Sequence, residues 1–470
     1  MIRIPDVKNK SIGVYGLGVS GIVAAEALVA SGANVFTWDE NKDARNKTRG
    51  SEYLAEHPKQ WPWDELSAVV VSPGVPLTHP KPHAIVRKAR STNVPVYGDT
   101  ELFARAVNAM PENARPKIVA ITGSNGKTTT TALIGKILVD AGEDAHVGGN
   151  IGEAVLSLPP PEKDSIYVLE LSSFQLDLTF SLRANVAILL NISPDHIERH
   201  GTMDGYLAAK TRIFHNQQVD DIAIVGTDDE MLENVATKMR ISHPAKFAPI
   251  SVGSTLGEGA FVLDGQLFHN LEGKTLTAGD ISNFSGLRGQ HNHQNVAAAM
   301  AASVFLGVSP AIAMRAAEKF EALPNRMETV AKIGKVLFVN DSKATNASAA
   351  ARALSAFKDV FWIAGGKPKD GGVSSLTNDL KNVRSAYLIG EAASDFEQQL
   401  RNAAHCILCE TLDVAVARAY EDALNSDAED PVVLLSPACA SYDQFKNFSE
   451  RGAAFRRLAD QLPRQNGEAA

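Results

Sequence analysis

The chain has 470 residues, of which 44% are hydrophobic and 21% are charged, and a chain of this length divides into two or three domains. Its formal net charge of −8 at pH 7 argues against a nucleic acid as partner, because the basic surface that nucleic acids require is missing. The longest apolar stretch, residues 296–308, is too short to span a bilayer, and the N-terminal segment lacks the apolar centre of a signal peptide, so we expect a cytoplasmic location and no membrane insertion.

Apolar, β-branched runs alternate with segments of helical periodicity, a pattern that predicts an α/β fold with mainly parallel sheets covered by helices. Polar, proline-containing segments at 110–117 and 323–326 divide this pattern into three units. We therefore predict a Rossmann-like domain at 1–109, a central P-loop-type ATPase domain with a mostly parallel sheet at 110–322, and a C-terminal Rossmann-like domain at 323–470. The predicted strands are 11–15, 34–38, 68–72, 166–171, 186–191, 221–225, 336–340, 359–364, 385–389 and 431–435.

The first predicted strand ends in a Gly-x-Gly-x-x-Gly turn. It contains Gly16, Gly18 and Gly21, and Asp39 ends the next strand about twenty residues later. This arrangement is typical of dinucleotide-binding domains. By itself it requires only a tight turn from strand to helix that faces a nucleotide or a diphosphate. An NAD-dependent oxidoreductase is one hypothesis, and a domain for a nucleotide-bearing substrate is at least as well supported, because an ATP-type loop follows.

That loop, in the sequence IVAITGSNGKTTTT, is the most specific motif of the chain. An apolar strand ends in a glycine-rich turn, where Gly123 and Gly126 allow backbone N–H groups to close around phosphate oxygens at a helix N-terminus. Lys127 can reach the outer phosphates, and the Thr128 hydroxyl can bind Mg²⁺. Ile121 stands where the longer phosphate loop has its first glycine, so this is a short variant. We predict that the chain binds and hydrolyses a nucleoside triphosphate.

Two further strand ends of the central unit offer metal-binding groups. Glu170 ends the apolar run SIYVLE, where a buried carboxylate facing a phosphate loop suits Mg²⁺, although it could also cap the next helix. His196 and His200 are four residues apart, but a metalloprotease motif requires Glu directly after the first His, and Ile197 is there instead. A zinc protease is therefore disfavoured, while His196 could still project into a cleft because it follows a strand closely.

Polar residues also cluster in two less specific places. Asn292 and Asn295 lie one helical turn apart in HNHQN, and by themselves such residues often cap helices. In the third unit Asp341, Lys343, Thr345 and Asn346 follow a strand directly, and this concentration of polar groups favours a ligand site over a simple turn.

The pair Cys406 and Cys409 forms a single C-x-x-C motif. It could be redox-active or half of a zinc site, or it could be two small apolar residues in or beside a strand. The second interpretation is favoured, because the sequence has no second cysteine pair to complete a metal site.

Together these motifs resemble the Mur ligase family, the ATP-dependent amide-forming enzymes of peptidoglycan synthesis, over nearly the whole chain. The shared motifs are TGSNGKTT, GGNIG, ELSSFQL, NISPDH, YLAAK and HNHQN. NDSKATN and SPACASYDQFKNF in the third unit are typical of the members that attach D-glutamate to UDP-N-acetylmuramoyl-L-alanine. Tyr442 departs from the pattern, since a small aliphatic residue is expected at its position.

The resemblance implies a set of site residues. Those implied for ATP are Gly123, Ser124, Asn125, Gly126, Lys127, Thr128, Thr129, Asn292, Asn295, Arg326 and Asp341. Those implied for the UDP-bearing substrate are Gly18, Val19, Ser20, Asp39, Ser72, Asn150 and His196. Those implied for D-glutamate are Lys343, Thr345, Lys369, Ser441 and Phe448, with Lys367 as an alternative to Lys369. Those implied for two Mg²⁺ ions are Thr128, Glu170, His196 and Lys210.

Lys210 is the residue of this set that the sequence alone would place on the surface, because it lies in an ordinary helical segment. In the family this lysine is carbamylated by CO₂, which converts a cation into an anionic oxygen ligand. The resemblance implies catalytic roles for Lys127, His196 and Lys210.

The implied reaction activates the alanyl carboxylate with ATP as an acyl phosphate, which the amine of D-glutamate attacks through a tetrahedral intermediate to give ADP and phosphate. Three alternatives stay open: another amide ligase of the same fold such as folylpolyglutamate synthase, an NAD-dependent dehydrogenase, and a non-enzymatic ATP-gated binding protein. We expect a monomer whose partners are small-molecule substrates.

Overall fold

Three β-sheets flanked by helices form the framework of the chain in a computed structural model. The structure describes residues 1–48, 53–271, 273–368 and 371–463. Two compact units can be distinguished. Unit 1 comprises Met1–Asp280 and Gln294–Ala317, and unit 2 comprises Ile281–His293 and the chain from Glu318 onward.

The first sheet, in unit 1, is parallel throughout and has the strand order β3-β2-β1-β4-β5. Its strands are β1 (Ser11–Tyr15), β2 (Asn34–Trp38), β3 (Leu54–Ala55), β4 (Leu66–Val71) and β5 (Val96–Tyr97). The helices of this region are α1 (Val19–Ala30), α2 (Lys42–Lys47), α3 (Ala84–Ser91) and α4 (Asp99–Asn108). The strands predicted here are confirmed as β1, β2 and β4, while β3 and β5 have only two residues each and were not predicted.

The second sheet, also in unit 1, has the order β14-β13-β12-β11-β10-β9-β6-β8-β7. It is parallel from β7 to β12 and ends in an antiparallel extension of β13 and β14. Its strands are β6 (Lys117–Thr122), β7 (Asp144–Gly149), β8 (Ser165–Glu170), β9 (Val186–Leu189), β10 (Ile222–Gly226), β11 (Lys246–Val252), β12 (Gly259–Leu263), β13 (Gln266–Asn270) and β14 (Leu276–Asp280). The helices that follow these strands or connect them are α5 (Lys127–Asp140), α6 (Ser173–Leu176), α7 (Ile197–His200), α8 (Met203–Thr211), α9 (Glu230–Ser242), α10 (Gln290–Phe305) and α11 (Pro310–Glu318).

The third sheet, in unit 2, has the order β15-β16-β20-β17-β18-β19 and is parallel except for the pair β15 and β16. Its strands are β15 (Glu328–Ile333), β16 (Val336–Asn340), β17 (Val360–Gly365), β18 (Val383–Ile389), β19 (Cys406–Glu410) and β20 (Val432–Leu435). Its helices are α12 (Ala347–Ser355), α13 (Ala393–Leu400), α14 (Leu412–Asn425) and α15 (Phe448–Gln461). The four strands predicted in this region are confirmed.

The central strands of the second sheet are buried on both faces, which explains why their sequences are continuous apolar runs. Every residue of β8 is buried, including the carboxylate at its end. The first and second sheets share one apolar cluster, in which the rings of Phe103 and Tyr167 lie 5.1 Å apart.

The segment predicted as a linker, 110–117, is held by its own contacts: the Arg115 guanidinium donates to the Met110 and Asn108 carbonyls at 3.0 and 2.7 Å. Each sheet falls within one predicted domain, and the domain boundaries themselves stay predictions.

The C-x-x-C motif lies in strand β19, as the favoured interpretation predicted. Cys406 and Cys409 are both free thiols, and burial raises the pKa of each above its ordinary value. Among the helices of the described residues, we find none with the length and apolar character needed to cross a membrane.

Candidate active site

The phosphate loop joins β6 to α5 and requires glycine at both of its predicted positions. Gly123 and Gly126 have φ angles of +150° and +83°, a region that other residues rarely adopt. A Cβ atom on Gly126 would also overlap the side-chain oxygen of Asn295. The loop is anchored to the end of β9, because the N–H groups of Ser124 and Asn125 both donate to Asn191, at 2.9 Å each. These contacts preform the loop at the N-terminus of α5.

Lys127 is the first residue of α5, and its ammonium lies over the loop. Its Nζ atom donates to the carbonyls of Gly123 and Ser124 at 2.8 and 3.0 Å. Thr128 and Thr129 follow in the first turn, where helix N–H groups and the helix dipole favour an anion. The loop therefore brings an ammonium, two hydroxyls and a helix N-terminus together, and phosphate binding by these groups stays a prediction.

Glu170 lies at the end of β8, opposite Ile121 of β6, with only 2% of its surface exposed. One carboxylate oxygen accepts from the Thr128 hydroxyl at 2.7 Å, and the other accepts from the Asn150 amide at 2.8 Å. Within the part of the chain that the structure describes, no basic side chain forms an ion pair with this carboxylate. A buried anion whose hydrogen-bonding partners are neutral is well suited to hold a divalent cation.

Lys210 is buried, with 1% exposure, although its helical segment alone suggested a surface lysine. Its Nζ atom donates to the Gly123 carbonyl at 2.7 Å and lies 4.6 Å from the centre of the Tyr206 ring. Burial, together with the nearby charge of Lys127, holds the pKa of Lys210 well below its usual range, against the opposing effect of Asp195 and Glu170. The phosphate loop thus has a second, buried amine beside it.

The two histidines of DHIERH differ in their exposure to solvent. His196 is exposed at the start of α7 in a left-handed conformation, with its ring 4.8 Å from that of Phe174. His200 is buried, and its Nε2 atom lies 2.9 Å from the Ser173 hydroxyl. Burial lowers the pKa of His200 to about 4, so this imidazole is neutral at physiological pH. His196 is therefore the histidine available to a ligand.

The glycine turn of the first sheet gathers the residues predicted around it. A Cβ atom on Gly21 would overlap the Gly16 carbonyl, so this glycine permits the close approach of α1 to β1. The Asp39 carboxylate accepts from the Leu17 N–H at 2.6 Å, and the Ser72 hydroxyl donates to the Gly16 carbonyl at 3.1 Å. The candidate residues that lie in this turn and at the start of α1 are Gly18, Val19 and Ser20.

Arg199 is a contact residue that the sequence motifs did not indicate. Its guanidinium donates to the carbonyls of Gly74 and Pro73 at 2.8 and 3.3 Å, and it lies 4.5 Å from the centre of the Phe174 ring. It therefore links the turn after β4 to α7, the helix that begins beside His196. In the sequence, the position of Arg199 within DHIERH was the one sign that it could take part in the site.

Asn292 and Asn295 both lie in α10, as their spacing predicted. Asn295 belongs to unit 1 and accepts from the Thr130 hydroxyl at 3.1 Å, next to the phosphate loop. Asn292 belongs to unit 2 and donates to the Arg288 carbonyl at 2.8 Å.

Asp341 follows β16 and is buried in unit 2. Its two oxygens accept from the Met327 N–H at 3.3 Å and from the Ser436 hydroxyl at 2.9 Å. Burial raises the pKa of Asp341 to about 7, although these hydrogen bonds and the charge of Arg326 act in the opposite direction. Arg326 and Asp341, both candidates for ATP, are thus electrostatically coupled.

The candidate residues for D-glutamate lie at neighbouring strand ends of unit 2. The Lys343 ammonium lies 4.0 Å from the centre of the Phe448 ring. Ser441 is buried, and its carbonyl accepts from the Phe445 N–H at 2.8 Å. The segment 343–346, which contains Thr345, leads from the end of β16 into α12.

Two positions qualify this picture. Lys369 lies outside the described residues, whereas the backbone N–H of its alternative, Lys367, donates to the Ala440 carbonyl at 2.9 Å. Tyr442, the departure from the family pattern, is 70% exposed, so its ring fits here without displacing neighbours.

Comparisons with known proteins identify two domains of a known family in this chain. Residues 121–303 match the family model of the Mur ligase middle domain, and residues 325–439 match that of the Mur ligase glutamate ligase domain. A protein of Caulobacter vibrioides (strain NA1000 / CB15N) named UDP-N-acetylmuramoylalanine–D-glutamate ligase is 49% identical over 470 residues, covering 100% of both chains. A protein of the same name from Phenylobacterium zucineum (strain HLK1) is 47% identical over 470 residues, again covering 100% of both.

Among solved structures, the MurF ligase of Thermotoga maritima in complex with ADP is similar, with a TM-score of 0.57 and 16% identity over 98% of each chain. At this identity the likeness concerns the fold alone.

Proposed function

The chain belongs to the Mur ligase family, and on this basis we propose that it is the ATP-dependent ligase that joins D-glutamate to UDP-N-acetylmuramoyl-L-alanine in peptidoglycan synthesis. The choice of substrates rests on full-length relatives of that name at 45–49% identity. The single structural observation that supports the chemistry is the convergence of Lys127, Glu170 and Lys210 on one phosphate loop.

The reaction needs ATP because a carboxylate is a poor electrophile. The alanyl carboxylate oxygen attacks the γ-phosphorus of ATP, ADP leaves, and an acyl phosphate forms. The amine of D-glutamate then attacks the acyl carbon through a tetrahedral intermediate, loses a proton and expels phosphate. All three reactants are anionic, so the site must supply positive charge and hydrogen-bond donors. Lys127 and the N-terminus of α5 supply both at the loop.

Two Mg²⁺ ions belong to this proposal. Thr128 and Glu170 would hold the first, and their oxygens already lie 2.7 Å apart. His196 and Lys210 would serve the second. Magnesium, when bound, neutralises phosphate charge and polarises the phosphoryl oxygens. The fit is chemically sound, since Mg²⁺ commonly takes one or two protein oxygen ligands and completes its shell with water and substrate phosphates.

Carbamylation of Lys210 is the third element. Only a neutral amine can attack CO₂, and a buried lysine is neutral more often than an exposed one. Lys210 meets this condition, because its Nζ atom is buried and its hydrogen bonds run to neutral oxygens of Gly123 and Thr122. The carbamate would replace a buried amine by an anionic oxygen ligand near the phosphates.

The two other substrates would bind at the first and third sheets. The glycine turn of the first sheet, with Asp39 and Ser72, would bind the uridine diphosphate, and Asn150 and His196 would contact the same substrate. The residues that would bind D-glutamate are Lys343, Thr345, Ser441 and Phe448, together with Lys369. We expect the enzyme to act in the cytoplasm as a monomer on these small molecules.

Phosphate release tests the proposal directly. The purified chain should release phosphate from ATP when Mg²⁺, UDP-N-acetylmuramoyl-L-alanine and D-glutamate are all present, and omission of any one should reduce the rate to background. Release that needs neither amino acid nor UDP-sugar, or that needs a folate, would contradict the proposal and favour another ligase of this fold. Failure to bind nicotinamide cofactors in the same preparation would dispose of the dehydrogenase.

A further inference from the structure

Helix α15 carries a buried guanidinium that no sequence motif indicated. Arg451 is 1% exposed and makes four hydrogen bonds. Its Nε atom donates to the Ser342 hydroxyl at 3.0 Å, and its Nη2 atom donates to the carbonyls of Ser342 and Cys439 at 2.9 and 3.1 Å. Its Nη1 atom donates to the Ala440 carbonyl at 3.3 Å. One side chain therefore joins two segments that are nearly a hundred residues apart in sequence.

These contacts lie next to the candidate residues for D-glutamate. Ser342 precedes Lys343, and Ala440 precedes Ser441. The Ser342 hydroxyl, which accepts from Arg451, also donates to the Phe448 carbonyl at 2.8 Å. The Ala440 carbonyl also accepts from the N–H of Lys367. A single guanidinium thus joins the two segments that carry Lys343 and Ser441, both candidate contacts of D-glutamate.

The charge of Arg451 has no hydrogen-bonded counter-ion within the described residues, since all four acceptors are carbonyl or hydroxyl oxygens. Cys439 and, less strongly, Asp443 favour the charged form electrostatically, and the Asp443 carboxylate accepts a hydrogen bond from the Glu391 N–H at 3.2 Å. Burial lowers the pKa of Arg451 to about 10, so the group is still charged at neutral pH. A buried charge without a partner costs folding free energy, and an approaching dicarboxylate would recover part of that cost.

We propose that Arg451 is a positioning residue for the D-glutamate pocket: its planar fork holds the segments that contain Lys343 and Ser441, and its positive charge favours a substrate with two carboxylates. This inference rests on the proposed function. A lysine cannot replace the fork, because an ammonium is a point charge that does not span three carbonyls and a hydroxyl in one plane.

Steady-state kinetics of the full chain tests the proposal with two variants. Arg451→Lys keeps the charge and loses the fork, and Arg451→Met loses both. For Arg451→Lys we expect the KM for D-glutamate to rise about tenfold or more, as for the loss of a charge-assisted hydrogen bond. The KM values for ATP and for UDP-N-acetylmuramoyl-L-alanine should stay within about twofold of wild type. Arg451→Met should raise the KM for D-glutamate further.

Arg457→Lys is the matched control, because Arg457 is exposed on the same helix. It should leave all three KM values unchanged. If Arg451→Met does not fold, Arg451→Lys alone decides the question.

Two results would overturn the inference: an unchanged KM for D-glutamate in Arg451→Lys, or an equal rise in all three KM values with a lower unfolding temperature, which would indicate a merely structural role. If the wild-type chain itself shows no phosphate release that depends on D-glutamate, the proposed function fails. If the wild type is active and only the selective KM effect is missing, the positioning role alone fails.

Discussion

Lys127, Glu170 and Lys210 bring a cation, an anion and a buried amine to one short loop. Each forms hydrogen bonds with neutral oxygens or amides, and none forms a hydrogen-bonded ion pair with another of the three. A phosphate or a metal ion at the loop would therefore meet all three groups in one place. This arrangement leads to one prediction for each of the two lysines.

Lys127→Ala should reduce turnover by about 10²–10³-fold or more, as for removal of one main stabilising donor of a transition state. Phosphate release under saturating substrates measures this. Lys136→Ala, which removes an exposed ion pair with Asp140 on the same helix, is the control and should behave like wild type. Near-normal turnover in Lys127→Ala would refute the role assigned to this residue.

Lys210→Ala should be inactive, and short carboxylic acids such as acetate should partly restore its activity by supplying the missing anionic oxygen. The same acids should not help Lys127→Ala, because that variant lacks a cation. Depletion of CO₂ should lower wild-type activity, and bicarbonate should restore it. If no acid rescues the variant, Lys210 is an ordinary buried lysine and the carbamate hypothesis is wrong.

Asp341 should make the stability of unit 2 depend on pH. Its pKa is about 7 in the folded chain and 3.8 as the ordinary value, so between these limits the folded state binds the additional proton. Stability is therefore highest below the lower value and falls as pH rises through about 7, by up to about 4 kcal/mol.

Asp341→Asn removes this titration. Relative to wild type, its unfolding midpoint should improve as pH rises from 4 to 8. Below pH 4, where both side chains are neutral, the remaining difference reports only the altered hydrogen bonds to Met327 and Ser436. A difference between variant and wild type that is constant from pH 4 to pH 8 would contradict the prediction.

At the scale of elements, the turn from β6 to α5 requires glycine because of its backbone conformation and the space available there. Gly126 combines a left-handed backbone with a close approach to Asn295, whereas Gly142 at the end of α5 has a similar φ of +87° and open space around it. Substitution at Gly142 therefore measures backbone strain alone, whereas substitution at Gly126 adds steric overlap.

Gly142→Ala should cost about 1–2 kcal/mol of stability, the ordinary penalty of a left-handed residue with a side chain. Gly126→Ala should cost more and should also weaken ADP binding, because Asn295 must move. Thermal unfolding and calorimetric titration with ADP measure the two effects. Equal losses in both variants would show that the approach of Asn295 is unimportant.

How far the sequence predicts these elements depends on burial. Strands that are continuous apolar runs, such as β8, were predicted within a residue or two, whereas β11 and β12 were not predicted although they are largely buried. The antiparallel strands β13 and β14 were missed because they are partly exposed and mix polar with apolar residues. The burial of Lys210 and Arg451 was not predicted either. A charged residue in a helix is normally exposed, and these two are buried by segments that are distant in the sequence.

At the scale of the whole molecule, the contacts divide the chain into two units although the sequence predicts three domains. The shared apolar cluster of the first two sheets explains this, since Phe103 from α4 packs against Tyr167 of β8. We therefore expect unit 1 to unfold cooperatively and unit 2 to unfold in a separate step.

Paired core substitutions test this expectation. Phe103→Ala in unit 1 and Phe396→Ala in unit 2 remove side chains that are equally buried, and each should cost about 3–5 kcal/mol. In scanning calorimetry Phe103→Ala should lower the transition that ADP raises, because the phosphate loop belongs to the same unit. Phe396→Ala should lower the other transition. A single transition shifted by both variants would contradict the division.

The engagement of Lys127 with two carbonyls of its own loop has a consequence for which anions the site accepts. An incoming ion must outcompete those carbonyls for the ammonium. Chloride offers one diffuse charge for two lost hydrogen bonds, whereas a polyphosphate offers several charged oxygens and also reaches the helix N–H groups. We therefore expect the loop to bind multivalent anions and not monovalent ones. Pyrophosphate should inhibit by competing with ATP, whereas chloride at the same concentration should not, and inhibition measurements with the two anions test this.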